Sequence, residues 1–376
     1  MLANSGGRNL RTILISFYFL SALAFARTNE PHYMDPFDYA AGGAVVTRAT
    51  QNGILASNPA LLPYGAKHLR WLGFRTSLYP GVDSIALIRD LQSGLGGGES
   101  TEEGGSEVQD FLDTAFDSPL HFGLSETLSI ITNNMGVGVF ASTEPDIRAW
   151  RKGDPEFGAG TPSLVVRSET YSGALLSFAR RTFPWLSVGV TAKYLIVDEK
   201  RAAIEVTDKA AIAEAKDKLV SQGFAKSRGY GVDAGTLAFF QGNYVDLRLG
   251  ATAMNVGGVR LSGDDAPELK QYYNAGLGLT FHGTTSAIHF AADLRDVTNV
   301  YEEESFKRFY LGARMMLVKI LGLAIGVYHG HPSYGVELDL FLFKLSASVY
   351  TREYGAHPGV DTRQIYILSL AFGSYF

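Results

Sequence analysis

The chain has 376 residues, 42 of them glycine, with no cysteine and a formal net charge of −5. The lack of cysteine excludes a disulfide framework, a thiolate metal site and a lipoprotein anchor, and the acidic balance argues against nucleic acid as a partner. Hydrophobic residues make up 46%, too few to announce a helical membrane protein but ordinary for a barrel whose strands show lipid only half their residues.

Residues 1–26 read as a cleaved secretory signal peptide. Arg8 and Arg11 form the positive region, Ile13 to Leu20 the apolar region, and Ala24-Phe25-Ala26 the cleavage site. The apolar run falls short of the ~20 residues a spanning helix needs. Residues 27–67 follow as a segment of small residues and turns. In it, Pro59 disfavours helix at Asn58, and the Asn58 side chain is suited to cap a turn. Ala60 permits close packing, and Leu61-Leu62 begins an apolar anchor. An ordinary helix cap followed by a short helix is the plainer reading of the same residues.

From residue 68 onward the chain predicts fourteen strands. They lie near 68–79, 119–131, 135–145, 163–180, 185–198, 226–240, 243–255, 269–282, 284–296, 306–318, 320–330, 333–342, 345–353 and 363–376. Several alternate cleanly: Val188, Val190, Ala192 and Tyr194 share one face, and Ser187, Gly189, Thr191 and Lys193 the other. The connections alternate as well. Those after even strands are tight, and most after odd strands are long, which is the signature of a transmembrane barrel. An even strand count puts both barrel ends on one side. The short turns and termini are therefore expected in the periplasm and the long loops outside. Two loops predict small helices, at Ser84–Leu91 with Val108–Phe116, and across Arg201–Gln222, where apolar residues recur at helical spacing. They are either solvated lids or part of a ligand site. The last strand sets Tyr366, Leu368, Leu370, Phe372 and the terminal Phe376 on one face. It resembles the closing strand and assembly signal of outer-membrane barrels, which implies the barrel assembly machinery as a partner.

The segment Gly42-Gly43-Ala44, with Asn58-Pro59-Ala60-Leu61 a short spacer later, resembles the N-terminal plug of the FadL-type long-chain fatty acid transporter superfamily. That superfamily includes spirochaetal FadL-like, TraF-like and type IX secretion shuttle relatives. Fourteen strands also match its barrel. The resemblance implies an all-β, transmembrane antiparallel barrel at 68–376 in the bacterial outer membrane, plugged by 27–67. It implies uptake of a hydrophobic ligand such as a long-chain fatty acid, with outer-membrane lipid around the wall. It also implies an outer ligand site on the long loops, where Phe111, Leu112 and Phe116 are the apolar candidates. The acidic, glycine-rich stretch Gly97–Gly105 suits surface exposure more than capture of a carboxylate. It favours the alternative, a non-transporting barrel that serves as a scaffold or docks a partner.

Catalytic chemistry finds no constellation. Lys193, Asp246, Arg248, His289, Asp293, Arg295, Arg308, Arg314, Glu337 and Asp339 are expected to face the lumen in charge networks. His289 and Asp293 lie four residues apart on one strand face, ~13 Å, too far for a base and its orienting partner. No Gly-x-Ser-x-Gly elbow occurs. His329-Gly330-His331 lacks the neighbouring carboxylates of a metal site. The sequence therefore reads as a non-enzyme with no cofactor or metal.

Overall fold

The computed structural model describes residues 33–50, 53–65, 68–79, 120–150, 163–205, 227–262, 268–284, 286–318, 320–340, 342–353, 359 and 362–375. Alternation of apolar and polar residues draws most of these into strands. Fourteen of the strands form a closed antiparallel barrel. They are β1 (His68–Tyr79), β2 (Leu120–Ile131), β3 (Met135–Trp150), β4 (Ser163–Phe183), β5 (Leu186–Glu205), β6 (Ser227–Phe240) and β7 (Val245–Met254), then β10 (Tyr272–His282), β11 (Ser286–Leu294), β12 (Phe309–Leu317), β13 (Leu321–Tyr328), β14 (His331–Asp339), β15 (Phe343–Glu353) and β16 (Thr362–Tyr375). A short hairpin, β8 (Val259–Arg260) with β9 (Glu268–Leu269), interrupts the connection from β7 to β10. Each barrel strand pairs with its neighbours, and β16 closes on β1 from His68↔Tyr375 to Leu78↔Tyr366. A closed barrel leaves no strand edge, as a wall in contact with lipid requires. The fourteen-strand expectation is met.

The two faces of the wall differ as the sequence pattern demands. Leu128, Ile130, Val137, Val139, Phe178, Val190, Phe290, Leu311, Ile325, Val336, Leu368 and Phe372 point outward and are exposed. Ser129, Ser177, Ser187, Thr191, Lys193, Asp293, Arg314 and Glu337 point inward and are buried. A continuous apolar band outside and polar groups inside is the arrangement of a barrel that crosses a membrane. At the short-turn end, Phe183, Trp185 and Phe240 stack outside the wall at centroid spacings of 5.7 and 5.9 Å, as aromatic rings do at a membrane interface.

The loops sort by length. The turns at 132–134, 184–185, 241–244, 283–285, 318–320 and 340–342 all lie at one end. The strand ends that bound 80–119, 151–162, 206–226, 255–271, 295–308 and 354–361 lie at the other. One tight turn breaks the pattern. His329 and Gly330 link β13 to β14 with φ of 49° and 79°, a two-residue turn whose positive φ matches the twist of a hairpin.

The helix expected across Arg201–Gln222 is corrected at its start. Arg201–Glu205 continue β5, because β4 extends to the same height and offers its ladder from Arg167↔Arg201 to Ser163↔Glu205. A neighbouring strand with open backbone groups outweighs a local helical pattern. The rest of that expectation, and the helices expected at 84–116, fall outside the described residues.

Candidate functional site: an N-terminal segment seated in the barrel

Residues 33–50 and 53–65 pack inside the barrel. The segment opens with helix α1 (Pro36–Ala40). The Asp35 side chain caps it by accepting Phe37 N–H at 3.2 Å, with Pro36 in the first turn, the position where a missing N–H does no harm. Gly42 and Gly43 then adopt φ of 65° and 72°, which only glycine takes without strain. This bend lays backbone on backbone. A Cβ on Gly42 would meet the main chain of Leu311 and Val327, and a Cβ on the facing Gly312 or Gly326 would meet Ala41 or Gly42.

Inward side chains of the wall hold this first arm. Gly42 N–H donates to Ser333 Oγ at 3.1 Å, and that hydroxyl donates on to Ala40 O at 3.1 Å. Arg295 donates to Gly43 O at 2.5 Å and lies 4.0 Å over the Tyr310 ring. Val46 N–H donates to Asp293 Oδ2 at 2.8 Å. Asp38 on α1 meets Arg314 at 2.7 Å and accepts Thr50 N–H at 3.0 Å and Thr50 O–H at 2.8 Å. Burial pushes the Asp38 carboxyl above the usual range, and the Arg314 guanidinium opposes that shift. Tyr39 fills the remaining space, stacked at 4.4 Å on Tyr350 and tilted at 5.5 Å against Tyr328.

The second arm begins with helix α2 (Gly53–Ser57), followed by a 3-10 helix at Pro59–Tyr64. Asn58 caps the latter by accepting Ala60 N–H at 3.0 Å, while its amide donates to Val46 O at 2.8 Å and Thr236 O at 3.3 Å. It therefore ties together the two arms and the wall. Ser187 donates to Ala60 O at 2.6 Å, and Thr191 to Leu55 O at 3.4 Å. A Cβ at Gly189 would approach the backbone of Pro59 and Ala60 at 2.7–2.8 Å. Ile54, Leu55, Leu61 and Leu62 bury themselves against Ile131, Phe140, Leu175, Leu195 and Leu237.

The structure thus brings together Gly42, Gly43, Ala44, Asn58, Pro59, Ala60 and Leu61, all buried within the barrel. Phe111, Leu112, Phe116 and the terminal Phe376 lie outside the described residues. Several lumen-facing charges behave differently from the expected network. Lys193 does pair with Asp233 at 2.6 Å, and Lys344 with Glu337 at 3.0 Å. Asp293, Arg295, Arg248 and Arg314 instead grip the inner segment. His289 Nδ1 sits 2.8 Å from Thr280 Oγ1, not from Asp293. His329 meets Tyr310 OH at 3.1 Å and His331 meets Glu353 at 3.5 Å, so the two imidazoles have different partners. Arg308 ends a short helix α3 (Ser305–Arg308) and donates to Val297 O at the long-loop end.

The fold, a closed fourteen-strand antiparallel barrel around its own N-terminal segment, is similar to that of solved channel and transporter structures. The toluene transporter TodX of Pseudomonas putida matches at 12% identity, covering 93% of this chain and 99% of that one, with a TM-score of 0.50. A TodX variant described as a monoaromatic hydrocarbon channel, with the deltaS2 change, matches at 12% identity over 92% and 99%, with a TM-score of 0.54. No protein-family model and no curated protein matches the chain.

Proposed function

We propose that this chain is an uptake barrel of the bacterial outer membrane, passing small hydrophobic molecules past a plug formed by residues 27–67. The observation that carries the reading is the seated segment: it fills the barrel, so passage needs a built route beside it or through its movement. The FadL-like fold, shared along its length with a toluene transporter, supports a hydrophobic cargo. Long-chain fatty acids are the cargo that the Gly42-Gly43-Ala44 and Asn58-Pro59-Ala60-Leu61 resemblance favours. In this reading the long loops face outward, with Phe111, Leu112 and Phe116 at the first contact. The short turns and both termini face the periplasm, and the barrel assembly machinery reads the strand that ends in Phe376. The protein acts without catalysis or cofactor.

The test is entry of labelled toluene and labelled oleate into vesicles carrying the folded barrel. Saturable entry of either, altered by deletion of residues 33–62 in a barrel that still folds, supports the proposal. Entry no faster than into empty vesicles overturns it. It would then favour a second reading, a sealed scaffold, which has its own support: buried wall side chains bond the plug backbone along both arms.

A further inference from the structure

A cavity of about 700 Å³ opens beneath the inner segment at the short-turn end of the barrel. Phe37, Ile54, Leu61, Met316 and Ile320 form its apolar part. Arg48, Arg248, Arg314 and His289 line the rest, facing Glu337, Asp339 and Lys344. On the acidic side Lys344 meets Glu337 Oε1 at 3.0 Å and Asp339 at 3.3 Å, while Glu337 Oε2 has no protein partner among the described residues. The basic side holds more unmet groups. Arg314 spends one nitrogen on Asp38, and its Nη2 has no protein partner among the described residues. The same holds for Arg248 Nε, His289 Nε2 and Tyr64 OH. Arg314 and His289 are 6% and 2% exposed, so water reaches them only through the cavity. Asp246, the carboxylate nearest Arg248 along its strand, is occupied by Gly242 N–H and His282. The three guanidinium groups also repel one another. Arg48 is pushed down to about 10 by burial and by the charges of Arg248 and Arg314.

Buried donors without acceptors, on a cluster of three cations that Asp38 offsets only in part, call for an oxyanion. We propose that this cavity binds a carboxylate- or phosphate-bearing molecule, its oxygens between Arg48, Arg248 and Arg314 and its body against Phe37, Leu61 and Met316. The site opens at the short-turn end, away from the long loops where cargo would first dock. It does not rest on the uptake reading and stands if transport fails.

The test is calorimetric titration of the full chain, folded in a maltoside detergent, with benzoate, with inorganic phosphate and with neutral benzyl alcohol. Saturable binding of benzoate or phosphate that weakens with rising salt is expected, with benzyl alcohol silent. Benzoate alone identifies an apolar carboxylate, and phosphate alone a free inorganic anion. Arg248→Gln and Arg48→Gln should each weaken binding about tenfold, one charge-assisted bond's worth. Heat-modifiable migration checks that both variants fold. Absence of saturable anion binding in the wild type, or affinity unchanged in both folded variants, overturns the proposal.

Discussion

The two arms of the inner segment are held by different chemistry. The first, residues 33–50, meets the arc from β10 to β16 through charge: Asp38 with Arg314, Gly43 O with Arg295, Val46 N–H with Asp293. The second, residues 53–65, meets the arc from β3 to β7 mainly through neutral hydrogen bonds and an apolar cluster, with Arg181 donating to Pro63 O at its exposed end. Each wall arc is preformed by its own ladder, so each arm has an independent seat. Asn58, bonded to Val46 O, and Ile54 N–H, which donates to Thr50 O, link the two. The first arm should therefore answer to pH and to loss of buried charge more strongly than the second.

The strongest challenge to this division is Gly42→Val. It forces a side chain into the main chain of Leu311 and Val327 at a positive φ and should cost on the order of 4 kcal/mol in seating the first arm. Hydrogen exchange should show Phe37 to Val46 losing protection while Ala60 to Leu62 keep theirs. Equal loss in both arms would mean a single cooperative unit. Arg295→Met comes next. It strips Gly43 O of its donor inside a buried site, and roughly 3 kcal/mol should be lost from the same arm by urea unfolding. Asn58→Ala should cost about 2 kcal/mol through loss of a cap and two buried bonds. Unlike the others it should loosen both arms, read as maleimide labelling of Ala44→Cys and Ser57→Cys in this otherwise cysteine-free chain. The smallest effect is that of pH. Because burial raises the Asp38 carboxyl above 3.8, the seated arm binds a proton that the released arm does not. Its stability should therefore rise as pH falls through that raised value, and level off below the ordinary value. Asp38→Asn should flatten the profile. The second arm, gripped by Ser187, Thr191 and Asn58, should show a shallower slope.

Much of this could be read from the chain itself. Strand alternation is local, so Val188 to Tyr194 announced their faces, and the tight and long connections announced the two ends. The Asn58 cap was equally visible, because its cause lies within a few residues, whereas Gly42 and Gly43 stood out only as part of a motif and their bend is seen in the structure. The partners of those motifs were not. Ser333 lies 291 residues from Gly42, and Ser187 lies 127 from Ala60. Only register around the closed wall brings them together. The same distance hid the cavity, whose Arg48 and Arg314 looked like ordinary members of a plug and a lumen. Arg201–Glu205 misled for the opposite reason: their local pattern was helical, but a strand alongside decided.

The close fit of Gly42, Gly189, Gly312 and Gly326 has a consequence for biogenesis. Backbone-to-backbone seats of this kind leave no clearance for threading a chain through a finished cylinder. The segment leads directly into β1, the strand on which β16 must finally close. Closure of the β1–β16 seam around a segment already in place would avoid that threading.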